Sequence, residues 1–537
     1  MSAPTAASRK PDALERDALA VLHPTFHGTD TPPTWLLRLL ESGGMTGVGL
    51  FGRNVVSDEQ VTGLTARLHE ANPEVLIAID EEGGDVTRLE VRTGSSVPGS
   101  LALGAVDDPD LTRAVAAELG RRLVARGITL NWAPSADVNS NPDNPVIGSR
   151  SFGADPALVA RHTVAYVEGL QSAGVAACVK HFPGHGDTDV DSHLAMPRIG
   201  VDRDTLTERE LLPFRAAIAA GTRCVMSAHI LVPALDPELP GTLSPAVLNG
   251  LLRAPVSEGG LGFEGVIVTD GMEMDAVAAR WGVERGNVLA IAAGADAICV
   301  GGTPSDEAEV LRMRDALVAA VRSGELPEER LHDAAERVRA LGRWTAARRA
   351  EALASGNPGT AGDTGGTGRG SAGNIGTEAA RRAVRISAPA GAPPFAPLTG
   401  PAHVLVLTPA ANVAVGSETP WGLGPALTRL LPGTTTDRRG RTAPDAVPAV
   451  VEEVLREAGE RRLVVVVRDV HRHAWMGETL AALVAARPDT AVVEMGVPQA
   501  PPSGALHIAT HGAARVCAEA AAEVLTGGTI PRGTART

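Results

Sequence analysis

The chain has 537 residues, a formal net charge of −14 at pH 7 and 3% aromatic residues. An acidic chain with few aromatic rings lacks the basic surface and the stacking platforms of nucleic-acid-binding proteins, so we expect no nucleic-acid partner. No apolar stretch is long enough to cross a bilayer, so no membrane partner is expected either. The length exceeds one ordinary hydrophobic core and predicts at least two domains.

The cysteines are scattered through the chain at Cys178, Cys224, Cys299 and Cys517, and they show no CxxC spacing. Three of them lie inside apolar runs, which is typical of small buried side chains rather than of zinc or redox sites.

Residues 1–17 contain no apolar segment of the kind found in signal peptides. We therefore expect a cytoplasmic protein.

Between residues 48 and 300, short apolar runs alternate with longer helical stretches. Seven of these runs predict strands: 48–51, 75–79, 128–130, 175–179, 224–226, 266–268 and 297–300. Continuous apolar runs are typical of parallel strands that are covered on both faces. Together with an eighth strand near the N-terminus that the pattern does not locate, they predict a (β/α)8 barrel of the TIM type.

The composition changes near Glu351, where a stretch rich in Gly, Thr and Ser begins. We therefore predict a barrel domain over residues 1–350 with an N-terminal lead-in, and a flexible linker over residues 351–376. Residues 377–537 then predict a smaller α/β domain of sandwich-like layers. Its strands are expected at 404–407, 463–467, 491–493 and 506–509.

Ionisable residues follow several of the predicted strands directly. Asp80 comes after the second run, Lys180 and His181 after the fourth, and Asp270 after the sixth. In a (β/α)8 barrel the carboxyl ends of all strands meet at one face, where catalytic residues are found. The spacing therefore predicts one shared polar site.

The stretch 180–193 contains three histidines, three aspartates and a lysine. Asp191 and His193 stand two residues apart, and an aspartate that accepts from one imidazole nitrogen raises the basicity of the other. Such a pair can move a proton at neutral pH. The residue types alone leave a second hypothesis open, a metal site formed by His181, His185, Asp187, Asp191 and His193.

A lone aspartate at Asp270, delivered by a buried strand, is suited to attack on an electrophilic carbon when it is ionised. A salt-bridged structural aspartate or a helix cap is the alternative interpretation. Asp80, Arg88 and Arg150 lie in loops that would face the same site. Carboxylates and guanidinium groups bind vicinal hydroxyls through paired hydrogen bonds, so these side chains favour a sugar ligand.

Five longer motifs carry a family resemblance: IDEEGGDVTRL at 79–89, NWAPSADVNSNP at 131–142, NPVIGSRSFG at 144–153, KHFPGHGDTDVDSH at 180–193 and VTDGMEM at 268–274. With these motifs the chain resembles the bacterial glycoside hydrolases of family 3, in their β-N-acetylglucosaminidase branch. The resemblance covers residues from about 45 to 345, in the order of the family. It implies no metal and no other cofactor, so the metal hypothesis becomes much weaker.

The resemblance also implies roles for single residues. Asp270 matches the catalytic nucleophile of the family, His193 its general acid/base and Asp191 the partner of that histidine. The residues that match those holding the sugar are Asp80, Arg88, Arg150, Lys180 and His181. The implied activity is the retaining, exo-acting hydrolysis of terminal β-linked GlcNAc, with muropeptides of cell-wall recycling as a candidate substrate.

Three alternatives remain at this point. A histidine acid/base is neutral after it has donated its proton, so the second step could admit phosphate, and a β-N-acetylglucosaminide phosphorylase is one alternative. A β-glucosidase or β-xylosidase of the same family is another, and a sugar-binding protein without catalysis is the third. Departures from the family pattern occur at Glu81, Asp85 and Gly271; the two acids predict a more acidic site.

Overall fold

The computed structural model describes residues 11–190, 196–354, 372–410, 415–416 and 418–528. These residues form two compact units, and each unit draws on several stretches of the chain. The first lies within Met1–Glu81, Ala116–Val138 and Thr163–Thr364. The second lies within Glu82–Val115, Asn139–His162 and Gly365–Thr537.

Eight parallel strands in the described part of the first unit form a closed barrel. They are β1 (Leu22–Pro24), β2 (Gly47–Leu50), β3 (Leu76–Ile79), β4 (Leu130–Asn131), β5 (Ala176–Phe182), β6 (Cys224–Ser227), β7 (Val266–Thr269) and β8 (Ile298–Val300). Strands β2 to β7 pair in sequence order, and β1 pairs with β8. Parallel bridges between Thr25 and Gly49 and between Val268 and Ala297 close the remaining seams. The predicted barrel is confirmed, and β1 is the strand that the sequence pattern did not locate.

The helices before residue 355 are α1 (Ala13–Ala20), α2 (Thr34–Glu41), α3 (Asp58–Ala71), α4 (Ser100–Val106), α5 (Pro109–Ala125), α6 (Pro156–Ser172), α7 (Arg203–Thr205), α8 (Leu211–Ala219), α9 (Pro245–Val247), α10 (Asp275–Trp281), α11 (Val283–Ala293), α12 (Glu307–Arg322) and α13 (Glu328–Ala354). Those after residue 371 are α14 (Ala372–Ala383), α15 (Gly424–Leu430), α16 (Val447–Ala458), α17 (Ala474–Ala486) and α18 (Arg515–Leu525). A π-helical turn, Leu206–Glu210, joins α7 to α8. None of the helices in the described ranges is both long and apolar enough to span a bilayer.

Several helices begin at side chains that satisfy their free amide groups. Asp12 accepts from the amide of Glu15 at 2.9 Å, and the Glu15 carboxylate accepts from the amide of Asp12 at 2.8 Å. The same reciprocal pair, Asp306 with Glu309, starts α12. These capping boxes occupy amide donors that an isolated helix end leaves without partners.

Small residues shape the interior of the barrel. Cys178, Cys224 and Cys299 are buried there as free thiols, which confirms that they serve as small apolar side chains. Gly47 leaves space for the ring of His23, because a Cβ atom at Gly47 would lie 2.4 Å from the Nε2 atom of His23. Burial lowers the pKa of His23 to about 4, so this ring is neutral at pH 7.

The sheet of the second unit contains β9 (Arg385–Ser387), β10 (His403–Leu407), β11 (Thr435–Arg439), β12 (Leu463–Val467), β13 (Ala491–Glu494) and β14 (Leu506–Ala509). Its order is β11-β10-β12-β13-β14-β9, and it is parallel except for β9, which runs antiparallel to β14. Each face carries its own apolar core: Val404 and Val464 lie in one, and Leu405 and Val465 in the other. The predicted second α/β layer structure is confirmed.

The two edge strands of this sheet, β9 and β11, were not predicted. Their sequences are polar, and their side chains are exposed or partly exposed. An edge strand with solvent on one side needs no apolar run, so its signal in the sequence is weak.

The packing around His23 yields a stability prediction. We expect Gly47→Ala to lower the free energy of unfolding by about 1–3 kcal/mol, because the new methyl group overlaps the buried ring of His23. Gly63→Ala is the control, since a Cβ atom at Gly63 in α3 meets nothing within 4 Å. Removing a helical glycine should raise the stability by roughly 0.5–1 kcal/mol. Urea unfolding midpoints measure the change in stability of each variant. A midpoint for Gly47→Ala at or above that of Gly63→Ala would contradict the packing described.

Candidate active site

The charged side chains that follow β3 and lie on β5 meet at the carboxyl end of the barrel. Lys180 is 2% exposed, and its Nζ atom donates to the Oδ1 atom of Asp80 at 2.6 Å. Strand β4, between β3 and β5, helps to position the backbone that follows Asp80. The side chain of Asn131 on β4 accepts from the amide of Glu81 at 2.9 Å and donates to its carbonyl oxygen at 2.8 Å. An ammonium group beside a carboxylate offers both donors and acceptors to a sugar hydroxyl.

Asp137, after β4, is the central acceptor of this part of the site. Its buried carboxylate accepts from Nδ1 of His181 at 2.7 Å, from the His185 amide at 2.7 Å and from the Ser135 hydroxyl at 2.8 Å. Burial alone would raise the pKa of Asp137, but the charge and hydrogen bond of His181 and the nearby His185 lower it to about 2. The carboxylate is therefore ionised at neutral pH, so Nδ1 of His181 must be a donor.

The loop after β5 is held by local contacts. The Nδ1 atom of His185 lies 2.7 Å from the hydroxyl of Thr188, and Arg209 donates to the Asp187 carboxylate at 2.7 Å. Burial and the neighbouring His181 lower the pKa of His185 to about 4. His185 and Asp187 therefore shape this loop.

Two predicted catalytic residues, Asp191 and His193, lie outside the described residues. They also belong to the set considered for a metal site, together with His181, His185 and Asp187. Each of these last three contacts a protein partner, as described above. Within the described ranges, no group of three or more His, Cys, Asp or Glu side chains is arranged to hold a metal ion.

Asp270 follows β7 and is partly exposed at the same end of the barrel. Its backbone amide donates to the carbonyl oxygen of Ser227 on β6 at 3.1 Å, so two adjacent strands determine its position. The amide of Gly271 donates to its Oδ1 atom at 2.8 Å. A carboxylate placed in this way can approach a ligand bound over the barrel.

The backbone directly after Asp270 is held by a neighbouring histidine. The Nε2 atom of His229 donates to the Gly271 carbonyl oxygen at 2.9 Å, and its Nδ1 atom lies 2.9 Å from the Thr242 hydroxyl. His229 therefore holds the backbone on which Asp270 stands.

The two predicted arginine ligands of the sugar lie in segments of the second compact unit. Arg150, which is 6% exposed, donates from Nη2 and Nε to the Glu82 carboxylate at 2.7 and 3.1 Å. Two parallel bonds of this kind fix the plane of the guanidinium group. Arg88 lies in the loop after β3 and is partly exposed.

The expectation that Asp85 makes the site more acidic is wrong. Its carboxylate is buried and accepts from Nη2 of Arg468 at 2.6 Å, from the hydroxyl of Ser149 at 2.5 Å and from the amide of Ala513 at 2.7 Å. An arginine thus compensates this charge within the second unit. The sequence could not show this pairing, because Asp85 and Arg468 are 383 residues apart.

Asp137 and Glu210 are two residues that our sequence reasoning did not single out. Asp137 follows a predicted strand within the motif at 131–142, and that position was the signal that could have identified it. Glu210 has no such signal, because it lies at the end of the π-helical turn. Burial raises the pKa of Glu210 to about 7 despite the opposing effect of Arg209, whose Nε atom donates to it at 2.6 Å.

This raised pKa predicts how stability depends on pH. Glu210 titrates near pH 7 in the folded chain and near its ordinary value of 4.5 in the unfolded chain. Between these values the folded chain binds the extra proton, so its stability falls as the pH rises from about 4.5 to 7. Glu210→Gln removes this loss, and we expect the variant to gain on the order of 1–3 kcal/mol relative to the native chain between pH 5 and pH 8.

Urea midpoints at pH 5 and pH 8 measure this effect. Glu208→Gln is the matched control, because Glu208 lies on the same turn and is exposed. The control should not change the pH dependence. Equal pH dependence of the native chain and of Glu210→Gln would show that Glu210 does not titrate in this range.

Comparison with known proteins identifies relatives with the same fold. The family model described as "Glycosyl hydrolase family 3 N terminal domain" matches residues 34–341. Among solved structures, a glycoside hydrolase family 3 beta-N-acetylglucosaminidase from Paenibacillus sp. is similar with a TM-score of 0.80 and 35% identity. That similarity covers 97% of this chain and 99% of the Paenibacillus chain.

Curated relatives match over shorter stretches. Beta-hexosaminidase A of Pseudoalteromonas piscicida is 34% identical over 359 residues, which are 62% of this chain and 57% of the relative. Beta-hexosaminidase LpqI of Mycobacterium tuberculosis is 38% identical over 255 residues, which are 47% of this chain and 63% of the relative. The chain thus spans less than two thirds of the length of either relative. Because the family model covers more than half of the sequence, the chain belongs to glycosyl hydrolase family 3.

Proposed function

We propose that this chain is a retaining exo-β-N-acetylglucosaminidase that releases terminal β-linked GlcNAc. The observation that carries the proposal is the position of Asp270, which stands at the same end of the barrel as the Lys180–Asp80 pair. The β-hexosaminidase relatives and the Paenibacillus structure support the substrate class. Catalysis is assigned to the predicted domain 1–350, and residues 377–537 are assigned to a further domain. The predicted linker, 351–376, is shortened at both ends, because α13 continues to Ala354 and α14 begins at Ala372.

In the proposed mechanism, the Asp270 carboxylate attacks the anomeric carbon and forms a covalent glycosyl-enzyme. His193 donates a proton to the departing oxygen, and Asp191 orients the imidazole ring and stabilises its charged form. Water then attacks the same carbon while His193 takes back a proton, which releases Asp270. Two inversions at one carbon give net retention of configuration.

The proposed sugar ligands supply hydrogen bonds on which this attack depends. Lys180 and Asp80 offer a charged donor and a charged acceptor that already face each other at 2.6 Å. His181 is oriented through its Nδ1 contact with Asp137. Arg88 and Arg150 complete the set by the family resemblance. Groups that are positioned before binding lose little entropy when the sugar arrives.

The natural substrate and the cellular location are part of the proposal. Muropeptides released during cell-wall recycling carry GlcNAc and are the candidate natural substrate, and no nucleic acid or membrane is needed for the reaction. The free, buried thiols of all four cysteines suit a reducing compartment such as the cytoplasm. Cell fractionation would test the location, and turnover of purified muropeptides would test the substrate.

Replacing the nucleophile gives the direct test of the proposed activity. We expect Asp270→Asn to lower kcat on an aryl β-GlcNAc by about 1,000-fold or more, because a neutral amide cannot form the ester intermediate. The control is Asp275→Asn, at an exposed position at the start of α10, and it should retain the native kcat. If Asp270→Asn kept more than about a tenth of the native kcat, Asp270 would not be the nucleophile.

Phosphorolysis by a neutral histidine base remains the second candidate. We expect hydrolysis, so that GlcNAc is the product of an aryl β-GlcNAc in buffer with or without millimolar inorganic phosphate. Mass spectrometry distinguishes GlcNAc from GlcNAc 1-phosphate. GlcNAc 1-phosphate as the main product would show that the chain is a phosphorylase instead.

The same assay tests the sugar specificity. Faster turnover of an aryl β-glucoside or β-xyloside than of the aryl β-GlcNAc would contradict the proposed substrate class.

A further inference from the structure

Arg88 and Arg150 lie in two segments that interrupt the barrel sequence and belong to the second compact unit. These segments are Glu82–Val115, which follows β3, and Asn139–His162, which follows β4. Both belong to the same compact unit as the described residues after 371, which form the six-stranded sheet.

Asp85 connects the three stretches of this unit through a single carboxylate. Its Oδ2 atom accepts from Nη2 of Arg468, one residue after β12, at 2.6 Å. The same atom accepts from the hydroxyl of Ser149 at 2.5 Å, and Oδ1 accepts from the amide of Ala513, beyond β14, at 2.7 Å. Each contact joins Asp85 to a different part of the chain.

Asp85 and its partner Ser149 lie close in sequence to the predicted sugar ligands. Ser149 directly precedes Arg150, and Asp85 precedes Arg88 by three residues. The side chains of Asp85 and Arg468 are 3% and 13% exposed. Breaking a buried ion pair by removing one partner leaves an uncompensated buried charge, so this contact constrains the backbone strongly.

Further contacts hold the same segments along their length. The Nε2 atom of His471 donates to the carbonyl oxygen of Pro142 at 2.8 Å. The amide of Val516 donates to the carbonyl oxygen of Ser95 at 3.4 Å, and Arg382 pairs with Asp108 at 2.8 Å. Asp85 is therefore one of several contacts that join both segments to the later part of the chain.

We propose that Arg468 is a positioning residue for the sugar site, and that through Asp85 it holds the segments bearing Arg88 and Arg150 in their binding positions. The inference rests on the proposed function, because it takes these arginines as sugar ligands. It gives the later part of the chain a role in sugar affinity.

Kinetics of Arg468 variants on an aryl β-GlcNAc test this role. We expect Arg468→Ala to raise KM by about tenfold or more and to change kcat by less than about threefold, because misplaced ligands weaken binding of the sugar. Arg468→Lys keeps the charge and should restore part of the affinity. Arg456→Ala is the matched control, because Arg456 is an exposed arginine of α16 that pairs with Glu453 on the same helix. It should behave like the native chain.

Amide hydrogen exchange supplies a readout that does not depend on activity. Arg468→Ala should speed exchange in peptides covering residues 86–99 and 142–152, and leave exchange in β2 and β3 unchanged. If Arg468→Ala does not fold, Arg468→Lys and Asp85→Asn are measured in its place, with the same expectation at smaller amplitude.

The outcomes separate the two proposals. A native chain that does not release GlcNAc overturns the proposed function, while hydrogen exchange still decides whether Arg468 anchors the segments. An active native chain whose Arg468→Ala variant shows native KM and native exchange overturns the anchoring role. A loss confined to kcat, with KM unchanged, overturns it as well.

Discussion

A single buried carboxylate, that of Asp137, organises the site in the first compact unit. Donors on the segment after β4 and on and after β5 converge on it, and together they keep it charged inside the protein. Because His181 and Lys180 are adjacent in sequence, the hydrogen bonds of His181 to Asp137 also fix the backbone from which Lys180 reaches Asp80. The cost of burying a charge is offset by hydrogen bonds, and the result is a rigid base for ligands.

Other buried carboxylates of the chain are held in the same way. Asp85 is also a buried carboxylate with several donors, and it lies in the second compact unit. In both cases the acid has a structural task, whereas Asp270, at the end of β7, remains partly exposed. Burial and hydrogen bonding therefore separate aspartates that hold the backbone from the one that we propose reacts.

Sequence reasoning succeeded where a local pattern carries the signal. The apolar runs of the barrel and the polar residues at strand ends are such patterns, and they located seven strands and placed Lys180 and Asp80 at the same end of the barrel. The ion pair between Lys180 and Asp80 was not predicted. Strand β1 was missed because its sequence, Leu22-His23-Pro24, is too short and too polar to stand out. The partners of Asp137 and Asp85 were missed because they lie 44 and 383 residues away, and such pairings appear only in the folded chain.

The central claim is that Asp270 becomes covalently bound to the sugar. A fluorinated GlcNAc donor with a good leaving group slows the second step and lets the glycosyl-enzyme accumulate. Peptide mapping by mass spectrometry should then find one sugar on the peptide that contains Asp270, and none in the Asp270→Asn variant. A sugar attached to a different carboxylate, or turnover of the donor without any adduct, would contradict the account.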